Sequence, residues 1–525
     1  MSGSIVDTDV LGLWNIAQEF PDRVAVVDPS GRSATYGEIA RDANRYGRGL
    51  QAHGLKAGDA LVMILPNTVE MVAVHFAAMQ IGLYVVAANW HLTGPELAYI
   101  VQDSGARVVI AHERFGKAAA IASAGSDTVP APEFRYCVGE IDGFTSLDEL
   151  GTGEPVERPD NRTLGAPMLY TSGTTGKPKG VRRPMTGADP DTVPMASIGF
   201  FSLFGIRPHD GHVHLCGSPM YHTAVLNFVT ISLQLGHSVV LMDKWDPETM
   251  LALIDKHRVT HSHMVPTQFT RLLALPEDVR GKYDVSSLRA MIHGAAPCPN
   301  EIKRRMIEWW GPVVTEYYAA TEGGGTVIDA EHWMQKQGSV GLPWPNSTIA
   351  IHLDDGSEAA VGEHGQVYMQ MRGSSFEYYK DKAKTEAARI GDLFTLGDIG
   401  YLDEDGYLFL CDRKNDMIIS GGVNIYPAEI EGELTLHPKV ADVAVFGIPH
   451  TDWGEEIKAV VETVPGVTGD DDLTREILEY ASERLATYKR PKTIDYIDAM
   501  PRDPNGKLYK RTLREPYWKD REKAI

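Results

Sequence analysis

The sequence has few cysteines and no long hydrophobic run. Its four cysteines, Cys137, Cys216, Cys298 and Cys411, are far apart and form no CxxC pair, so neither a disulfide framework nor a zinc site is indicated. Apolar stretches such as ALVMILP are far shorter than the roughly 20 residues that span a bilayer. The start, MSGSIVDTDV, lacks the basic region and apolar core of a signal peptide. We therefore expect a soluble, cytoplasmic protein.

Basic residues are scarce relative to acidic ones. The chain has 50 lysines and arginines against 71 aspartates and glutamates, which gives a net charge of −21. Such an excess opposes non-specific binding to nucleic acid or anionic lipid, because both depend on lysine and arginine. The chain is 525 residues long and 43% hydrophobic, which is enough for two or more domains, the larger with a substantial core.

The N-terminal part alternates between helical and strand patterns. A helix is predicted in SATYGEIARDANRYGRGLQAHG, with Ser33 as its N-cap, and buried strands are predicted in DALVMILPN and ARVVIAH. A second set begins near Gly211, with HVHLCG and SVVLM as strands and LNFVTISLQLG and DPETMLALIDKHR as helices. This alternation indicates parallel sheets with helices on both faces. The sequence thus predicts an α/β fold with two doubly wound α/β subdomains.

The pattern changes from about Gly338 to Asp412. Short stretches such as IAIHL, GQVYMQM and GYLFLCDR lie between Gly and Asp turns, which is typical of antiparallel strands and favours a small β-barrel. After Arg413 the pattern changes again, to VADVAVFGI, EIKAVVETV and the helix LTREILEYASERLA. We predict a large domain over residues 1–412 and a smaller α+β domain over residues 413–525.

The stretch YTSGTTGKPKG, from Tyr170 to Gly180, has the small hydroxyl residues, glycines and lysines of a phosphate-binding loop. It is not a Walker A loop, which reads GxxxxGK followed by Ser or Thr. Only two residues separate Gly173 from Gly176, and Pro178 stands where the magnesium-binding hydroxyl belongs. Taken alone, the stretch could also be a flexible surface turn.

Five further segments place this loop in a family pattern. They are PMYHTA (219–224), HGAAP (293–297), EYYAATE (316–322), LGDIGYLDEDGYL (396–408) with DRKNDMIISGGVNIYPAEIE (412–431), and PRDPNGK (501–507). Together with the loop they resemble the motifs of the adenylate-forming enzymes, which include acyl-CoA synthetases, luciferases and the adenylation domains of peptide synthetases. The resemblance covers essentially the whole chain. It implies that a carboxylate attacks the α-phosphate of ATP to give acyl-AMP and pyrophosphate.

The resemblance also implies roles for individual residues. The loop would hold the departing pyrophosphate, Glu322 and Thr171 would bind Mg²⁺, and Lys507 would stabilise charge on the reacting carboxylate and α-phosphate. Asp398 would accept both ribose hydroxyls, a role suited to a carboxylate. The residues implied to bind ATP or AMP are Thr171, Ser172, Gly173, Thr174, Thr175, Lys179, Ala295, Glu316, Tyr317, Tyr318, Thr321, Asp398, Arg413 and Lys507.

The adenine contact departs from the family pattern. The family usually has Gly, Tyr and Gly at the three positions where this chain has Tyr317, Tyr318 and Ala319. Which of the two tyrosines stacks on adenine is therefore left open. Ala295, in the small-residue segment HGAAP, is the residue expected to contact the adenine side.

The segment YHTAVLN bears on the acid substrate. An amino-acid-activating member would carry an aspartate just after the aromatic residue, whereas this chain has Thr223 and Ala224. A free, non-amino carboxylic acid is therefore favoured. Because Ala224 is small and the segment YHTAVLNFV contains no Trp, we expect a roomy pocket for a medium or long fatty acid or a bulky alicyclic acid. The alternatives are an aryl-acid ligase and an adenylation-only ligase. The acyl-pocket residues implied are Tyr221, His222, Ala224 and Gly294.

The second half-reaction would transfer the acyl group to CoA. The resemblance implies that Ser420, Gly421 and Gly422 line the CoA tunnel and that Asn415 is the hinge on which the C-terminal domain rotates. The cosubstrates are thus ATP and CoA, with Mg²⁺ as cofactor, and a homodimer is left open. The alternating histidines of HVH (212–214) and HSH (261–263) offer no third ligand, so a metal site is not indicated there.

Overall fold

The computed structural model describes residues 10–125, 132–171, 178–320, 322–373, 376–414, 416–421, 423–502 and 508–519, with the backbone alone at Thr171 and Lys179. The chain divides into two structural units. The first contains the chain up to His263 together with Glu277–Ile292 and Gly373–Ala387, and the second contains Met264–Pro276, His293–Arg372 and the chain from Ala388 onward. The predicted domain boundary between residues 412 and 413 lies within the second unit and stays a prediction.

The strands follow in chain order. They are β1 (Val24–Val27), β2 (Ser33–Thr35), β3 (Ala60–Ile64), β4 (Tyr84–Ala87), β5 (Ala106–His112), β6 (Phe134–Val138), β7 (Thr145–Ser146), β8 (Ala166–Pro167), β9 (Leu169–Thr171), β10 (Lys179–Arg182), β11 (Val213–Cys216), β12 (Ser238–Leu241), β13 (His261–Met264), β14 (Ala290–His293), β15 (Val314–Ala319), β16 (Gly325–Ile328), β17 (Ser339–Pro343), β18 (Ser347–His352), β19 (Gly365–Met371), β20 (Glu377–Tyr378), β21 (Arg389–Ile390), β22 (Leu393–Leu402), β23 (Leu408–Arg413), β24 (Ile418–Ser420), β25 (Val423–Ile425), β26 (Val440–His450), β27 (Gly454–Thr463) and β28 (Thr493–Ile497).

The α-helices are likewise numbered along the chain. They are α1 (Leu13–Glu19), α2 (Tyr36–Ala52), α3 (Val69–Gln80), α4 (Gly94–Ser104), α5 (Gly116–Ala122), α6 (Met195–Ser202), α7 (Thr223–Gln234), α8 (Pro247–His257), α9 (Pro266–Leu273), α10 (Glu277–Arg280), α11 (Asn300–Trp310), α12 (Ala330–Gln335), α13 (Lys382–Ala387), α14 (Pro427–Leu434), α15 (Asp471–Arg484) and α16 (Lys510–Trp518). No helix of the described ranges is long and apolar enough to cross a membrane.

The first unit contains two mainly parallel sheets, as the alternating pattern predicts. One has the strand order β7-β6-β5-β3-β4-β8 with parallel neighbours. In the other, β13, β11, β12 and β1 are parallel in that order, and β2 is antiparallel to β1. Strand β3 is an unbroken apolar run because both its faces are covered. Leu61 and Met63 enter one core cluster, while Val62 and Ile64 enter another.

Helix α2 begins later than the sequence analysis expects. Ser33 belongs to strand β2, so its prediction as N-cap is wrong. Thr35 is the N-cap: its side chain accepts a hydrogen bond from the Glu38 amide, and the Glu38 side chain accepts one from the Thr35 amide. This reciprocal capping box satisfies two amides that would otherwise lack partners at the helix start.

The second unit contains an antiparallel sheet with the strand order β18-β19-β22-β23-β17-β16-β15. The prediction of antiparallel strands between Gly338 and Asp412 is therefore confirmed. Towards the C-terminus, the strands β25, β24, β27 and β26 pair antiparallel in that order, and β28 lies parallel to β27. Helices α14 and α15 bury Ile430 and Ile477 in the core of this smaller sheet.

Candidate active site

The predicted phosphate loop connects two antiparallel strands. Strands β9 and β10 pair with Thr171 opposite Lys179 and Tyr170 opposite Gly180. The predicted loop thus connects the two strands of a β-hairpin. Residues 172–177 and the side chains of Thr171 and Lys179 lie outside the described residues, so their predicted contacts with phosphate stay predictions.

Helix α4 holds both sides of this hairpin. The Tyr170 hydroxyl donates to Asp103 Oδ2 at 2.7 Å, and the Tyr99 hydroxyl donates to the Pro178 carbonyl at 3.1 Å. Burial, and after it the Asp103 carboxylate, raises the pKa of Tyr170, so the phenol remains a donor. The sequence analysis missed Tyr99 and Asp103, because nothing local in the sequence connects α4 with a hairpin some 70 residues later.

Strand β15 places the two candidate adenine residues on opposite faces, since successive strand residues alternate. Tyr317 is buried and lies against Gly294, where an added Cβ would be 2.8 Å from the Tyr317 carbonyl and 3.1 Å from its ring. Tyr318 points the other way, and its hydroxyl donates to Asp398 Oδ2 at 2.6 Å. Burial and the Asp398 charge raise the pKa of Tyr318 well above its usual value.

Pairing of β22 with β23 brings together Asp398, the predicted ribose acceptor, and Arg413, the predicted partner for ribose or the α-phosphate. Asp398 lies opposite Arg413 in the register, and Arg413 Nε is 3.5 Å from Asp398 Oδ1. Asp398 is only 9% exposed. A shielded carboxylate flanked by a phenol and a guanidinium can accept hydrogen bonds from a diol, which is the chemistry that ribose requires.

Glu316 has an interior partner that the sequence analysis missed. Its Oε2 accepts a hydrogen bond from Lys303 Nζ at 2.7 Å, and His293 Nε2 is 3.9 Å away. Lys303 is fully buried and its ammonium lies 4.6 Å from the centre of the Trp333 ring. The Glu316 carboxylate is thus turned into the core, and any contact with nucleotide from this position stays a prediction.

Glu322 and Ala295 occupy unusual surroundings. Glu322 is only 6% exposed, and a shielded carboxylate is a hard oxygen donor of the kind that Mg²⁺ binds. Glu322 therefore fits its predicted role, while Thr321 lies outside the described residues. Ala295, just after β14, has φ +69°, the left-handed region that residues other than glycine seldom adopt.

The predicted acid-binding segment forms the start of α7. His222 is the N-cap residue, the buried Tyr221 ring lies 4.4 Å from the His222 ring, and Trp90 meets Tyr221 edge-on at 5.8 Å. Ala224 follows in the first helical turn. Trp90 in turn stacks on Phe115 at 4.9 Å. Trp90 lies in the loop after β4 and Phe115 ends a short 3₁₀ helix after β5; neither carries a recognisable signal in the sequence.

The predicted CoA segment is a hairpin between β24 and β25. Ser420 pairs with Val423 and with Gly454, and the Gly421 amide donates to the Trp453 carbonyl at 2.9 Å. The Trp453 ring is 47% exposed and is backed by the His450 ring at 4.8 Å and 19°. Gly422, Asn415 and Lys507 lie outside the described residues, so their predicted roles stay predictions.

The alternating histidines belong to the core of the first unit. His212, His214, His237, His261 and His263 are all buried, and the His214 and His261 rings are 4.8 Å apart. Burial lowers the pKa of His214 and His237 to about 3 and that of His263 to about 4. Across the part of the chain that the structure describes, no group of three or more potential metal ligands is found.

Comparison with known proteins identifies the class of enzyme. A family profile described as "AMP-binding enzyme" matches residues 13–379, and one described as "AMP-binding enzyme C-terminal domain" matches residues 429–507. The chain belongs to the AMP-binding enzyme family. The resemblance to adenylate-forming enzymes is thereby confirmed.

Individual relatives match over nearly the whole chain. Over 518 residues the chain is 33% identical to the long-chain-fatty-acid–CoA ligase FadD13 of Mycobacterium tuberculosis, covering 95% of this chain and 96% of the relative. Over 512 residues it is 33% identical to a feruloyl-CoA synthase of Amycolatopsis sp, covering 97% and 99%. It is also similar to a solved structure of o-succinylbenzoate CoA synthetase from Bacillus subtilis in complex with its acyl-adenylate, with a TM-score of 0.78, 29% identity and 98% of each chain covered. The predicted fold class and the prediction of an acid–thiol ligase are confirmed.

Proposed function

We propose that the protein is an acyl-CoA synthetase that activates a free carboxylic acid with ATP and then transfers the acyl group to CoA. The first half-reaction releases pyrophosphate and leaves acyl-AMP, and the second releases AMP. The observation that carries the proposal is the shielded Asp398 carboxylate between Tyr318 and Arg413, which could accept hydrogen bonds from a ribose diol, in a chain of the AMP-binding enzyme family.

In the adenylation step, different residues of this chain would bind the ribose, the phosphates and the magnesium ion of ATP. Asp398 accepts the ribose hydroxyls, and the hairpin loop between β9 and β10 follows the β- and γ-phosphates as they depart. Glu322 and Thr171 would hold Mg²⁺, which offsets phosphate charge when bound. Lys507 donates to the oxygens that carry negative charge as the acid attacks the α-phosphate.

The acid would be bound by the start of α7. The Tyr221–His222 pair lies there, and the segment offers no carboxylate for a substrate ammonium, which favours an acid without an amino group. A medium or long fatty acid or a bulky alicyclic acid is our first choice, because Ala224 leaves space. The related long-chain fatty acid ligase supports a fatty acid, whereas the related feruloyl-CoA synthase supports the aryl-acid alternative.

In the thioester step, the C-terminal domain of residues 413–525 would rotate about Asn415 and present the hairpin of Ser420, Gly421 and Gly422 to pantetheine. Trp453 is attached to this hairpin through the Gly421 amide, and its half-exposed ring offers a flat surface for the adenine of CoA. ATP and CoA as cosubstrates agree with the predicted cytoplasmic location, which stays a prediction.

The test is a panel of acids assayed for AMP release with and without CoA. The panel should contain straight-chain acids of increasing length, alicyclic acids, benzoate and ferulate, and one amino acid as a negative control. CoA-dependent AMP release with fatty or alicyclic acids is the expected result. A preference for benzoate or ferulate would replace the substrate proposal by the aryl-acid alternative. Acid-dependent ATP–pyrophosphate exchange without thioester would indicate an adenylation-only ligase.

A further inference from the structure

The hydrogen bond between Tyr318 and Asp398 joins two strands that are not neighbours. Strands β15 and β22 are separated in the sheet by β16, β17 and β23, which would place them about 19 Å apart in a flat sheet. The Tyr318 hydroxyl nevertheless lies 2.6 Å from Asp398 Oδ2. The sheet must therefore curl so that side chains of β15 and β22 meet on its inner face.

Among the residues that the structure describes, two donors flank the Asp398 carboxylate, and the phenol is the closer. Arg413 Nε is 3.5 Å from Oδ1, which is long for a hydrogen bond, whereas 2.6 Å is typical of a hydroxyl bound to an ionised carboxylate. Such bonds are about twice as strong as those between neutral groups. Because Asp398 is only 9% exposed, water can do little to replace the phenol if it is removed.

A carboxylate has about four acceptor positions. One position on Oδ2 is taken by the phenol, and the remaining positions can receive the two hydroxyls of a ribose. The side chain of an aspartate rotates unless something fixes it, and the phenol fixes this one before any nucleotide arrives. Binding of ATP then needs no further ordering of Asp398, which improves affinity by preorganisation.

We propose that Tyr318 is a positioning residue, whose hydroxyl holds the Asp398 carboxylate in the orientation that accepts the ribose hydroxyls of ATP. This inference rests on the proposed function. It also assigns Tyr318 rather than Tyr317 to the nucleotide, because Tyr317 points to the opposite face of β15 and lies against Gly294. The ring of Tyr318 and the acceptor for ribose thus act as one unit.

The test uses Tyr318→Phe, which keeps the ring and removes only the hydroxyl. ATP–pyrophosphate exchange is measured with ATP, 2′-deoxyATP and 3′-deoxyATP, together with the thermal unfolding midpoint. We expect the KM for ATP to rise about tenfold, as befits a lost hydrogen bond to a charged group, with kcat changed less than twofold. The preference for ATP over both deoxynucleotides should shrink by a similar factor. Combined with Asp398→Asn, Tyr318→Phe should have little further effect on KM.

Tyr283→Phe is the matched control, because the Tyr283 hydroxyl also donates to a carboxylate, Glu248 Oε1 at 2.9 Å, and has no predicted role in the site. It should leave all these kinetic constants unchanged. The inference is overturned if Tyr318→Phe keeps the KM for ATP and the full ribose preference, or if it lowers kcat and the unfolding midpoint while the preference stays intact. Failure of the proposed function would look different, since the unmodified enzyme would then show no acid-dependent exchange with any nucleotide.

Discussion

The ammonium of Lys303 lies 2.7 Å from the Glu316 carboxylate, and neither group has appreciable contact with solvent. The pair joins α11 to β15, the strand that carries Tyr317 and Tyr318. Removing two charges from water is costly, and the pair is tolerable only while both partners are present. Strand β15 is therefore sensitive to the loss of either partner.

Lys303→Met should lower the free energy of unfolding by about 3–5 kcal/mol, because it leaves the Glu316 charge buried without its partner. Calorimetric unfolding midpoints would measure this. The double variant Lys303→Met with Glu316→Leu should regain most of the loss. Lys382→Met, which breaks a solvent-exposed pair with Glu386 on α13, is the control and should change little. If Lys303→Met and Lys382→Met lowered the unfolding midpoint by equal amounts, this prediction would be contradicted.

The buried histidines predict acid sensitivity. Their folded pKa values, about 3 for His214 and about 4 for His263, lie below the unfolded value of about 6.5. Below pH 6.5 the unfolded chain therefore binds more protons than the folded chain, and stability falls as the pH falls. The unfolding midpoint should drop between pH 7.5 and pH 5, and His214→Leu should reduce that slope. His364→Asn, at an exposed site, is the control and should leave the slope nearly unchanged. An unchanged slope in His214→Leu would refute the interpretation.

Lys507→Ala should lower the rate of adenylation by roughly 10²–10³, as expected when one contact to transition-state charge is lost. Thioester formation from presynthesised acyl-AMP should be affected much less, because that step no longer forms the pentacoordinate phosphate. Pyrophosphate exchange and acyl-CoA formation measure the two steps separately. Lys519→Ala, at an exposed position, is the control. A similar loss in both steps would argue against this role for Lys507.

Asn415→Pro should block thioester formation while leaving acid-dependent pyrophosphate exchange nearly intact. Proline fixes φ, and a hinge residue must change its backbone angles when a domain rotates. Asn415→Ala, which keeps φ free, should support both half-reactions. If Asn415→Pro slows both half-reactions together, or neither, the hinge lies at another residue.

Ala224→Trp should narrow the acid pocket. Activity on bulky acids should fall while activity on short acids is retained, because overpacking acts on volume and not on the chemistry of the carboxylate. The chain-length profile of AMP release measures this, with the shortest acid as an internal control. A profile identical to that of the unmodified enzyme would mean that Ala224 does not line the pocket.

The amino-acid sequence is sufficient for the main architecture and for naming Asp398 and Arg413, which the structure places opposite each other in β22 and β23; their contact with nucleotide stays a prediction. The alternation of strand and helix patterns predicts the parallel sheets, and the unbroken apolar run of β3 predicts that both its faces are covered. The family motifs point directly to Asp398 and Arg413. The sequence also contains the signal for the true start of α2. Thr35 is followed by Glu38 three positions later, which is a recognised capping-box signal, whereas Ser33 lacks such a partner.

Other features depend on contacts that sequence patterns do not encode. Lys303 and Tyr99 lie in amphipathic helices, where a polar residue is normally solvent-exposed. Only the packing of α11 and α4 shows that Lys303 is buried and that Tyr99 donates to the Pro178 carbonyl. The orientation of Tyr318 towards Asp398 depends on the curl of a sheet whose strands are widely separated along the chain. The family motif narrows the choice to two tyrosines, and the geometry of β15 supports our proposal of Tyr318.

The backbone of Ala295 has a consequence for engineering. A left-handed φ of +69° costs an alanine about 1 kcal/mol or more, which glycine would not incur. Ala295→Gly should thus relieve strain, yet it would also remove the methyl group expected to touch adenine and loosen the chain after β14. At this position, removal of the Ala295 methyl group would both raise heat resistance and lower nucleotide affinity. Selection for a more heat-resistant enzyme would therefore weaken ATP binding there.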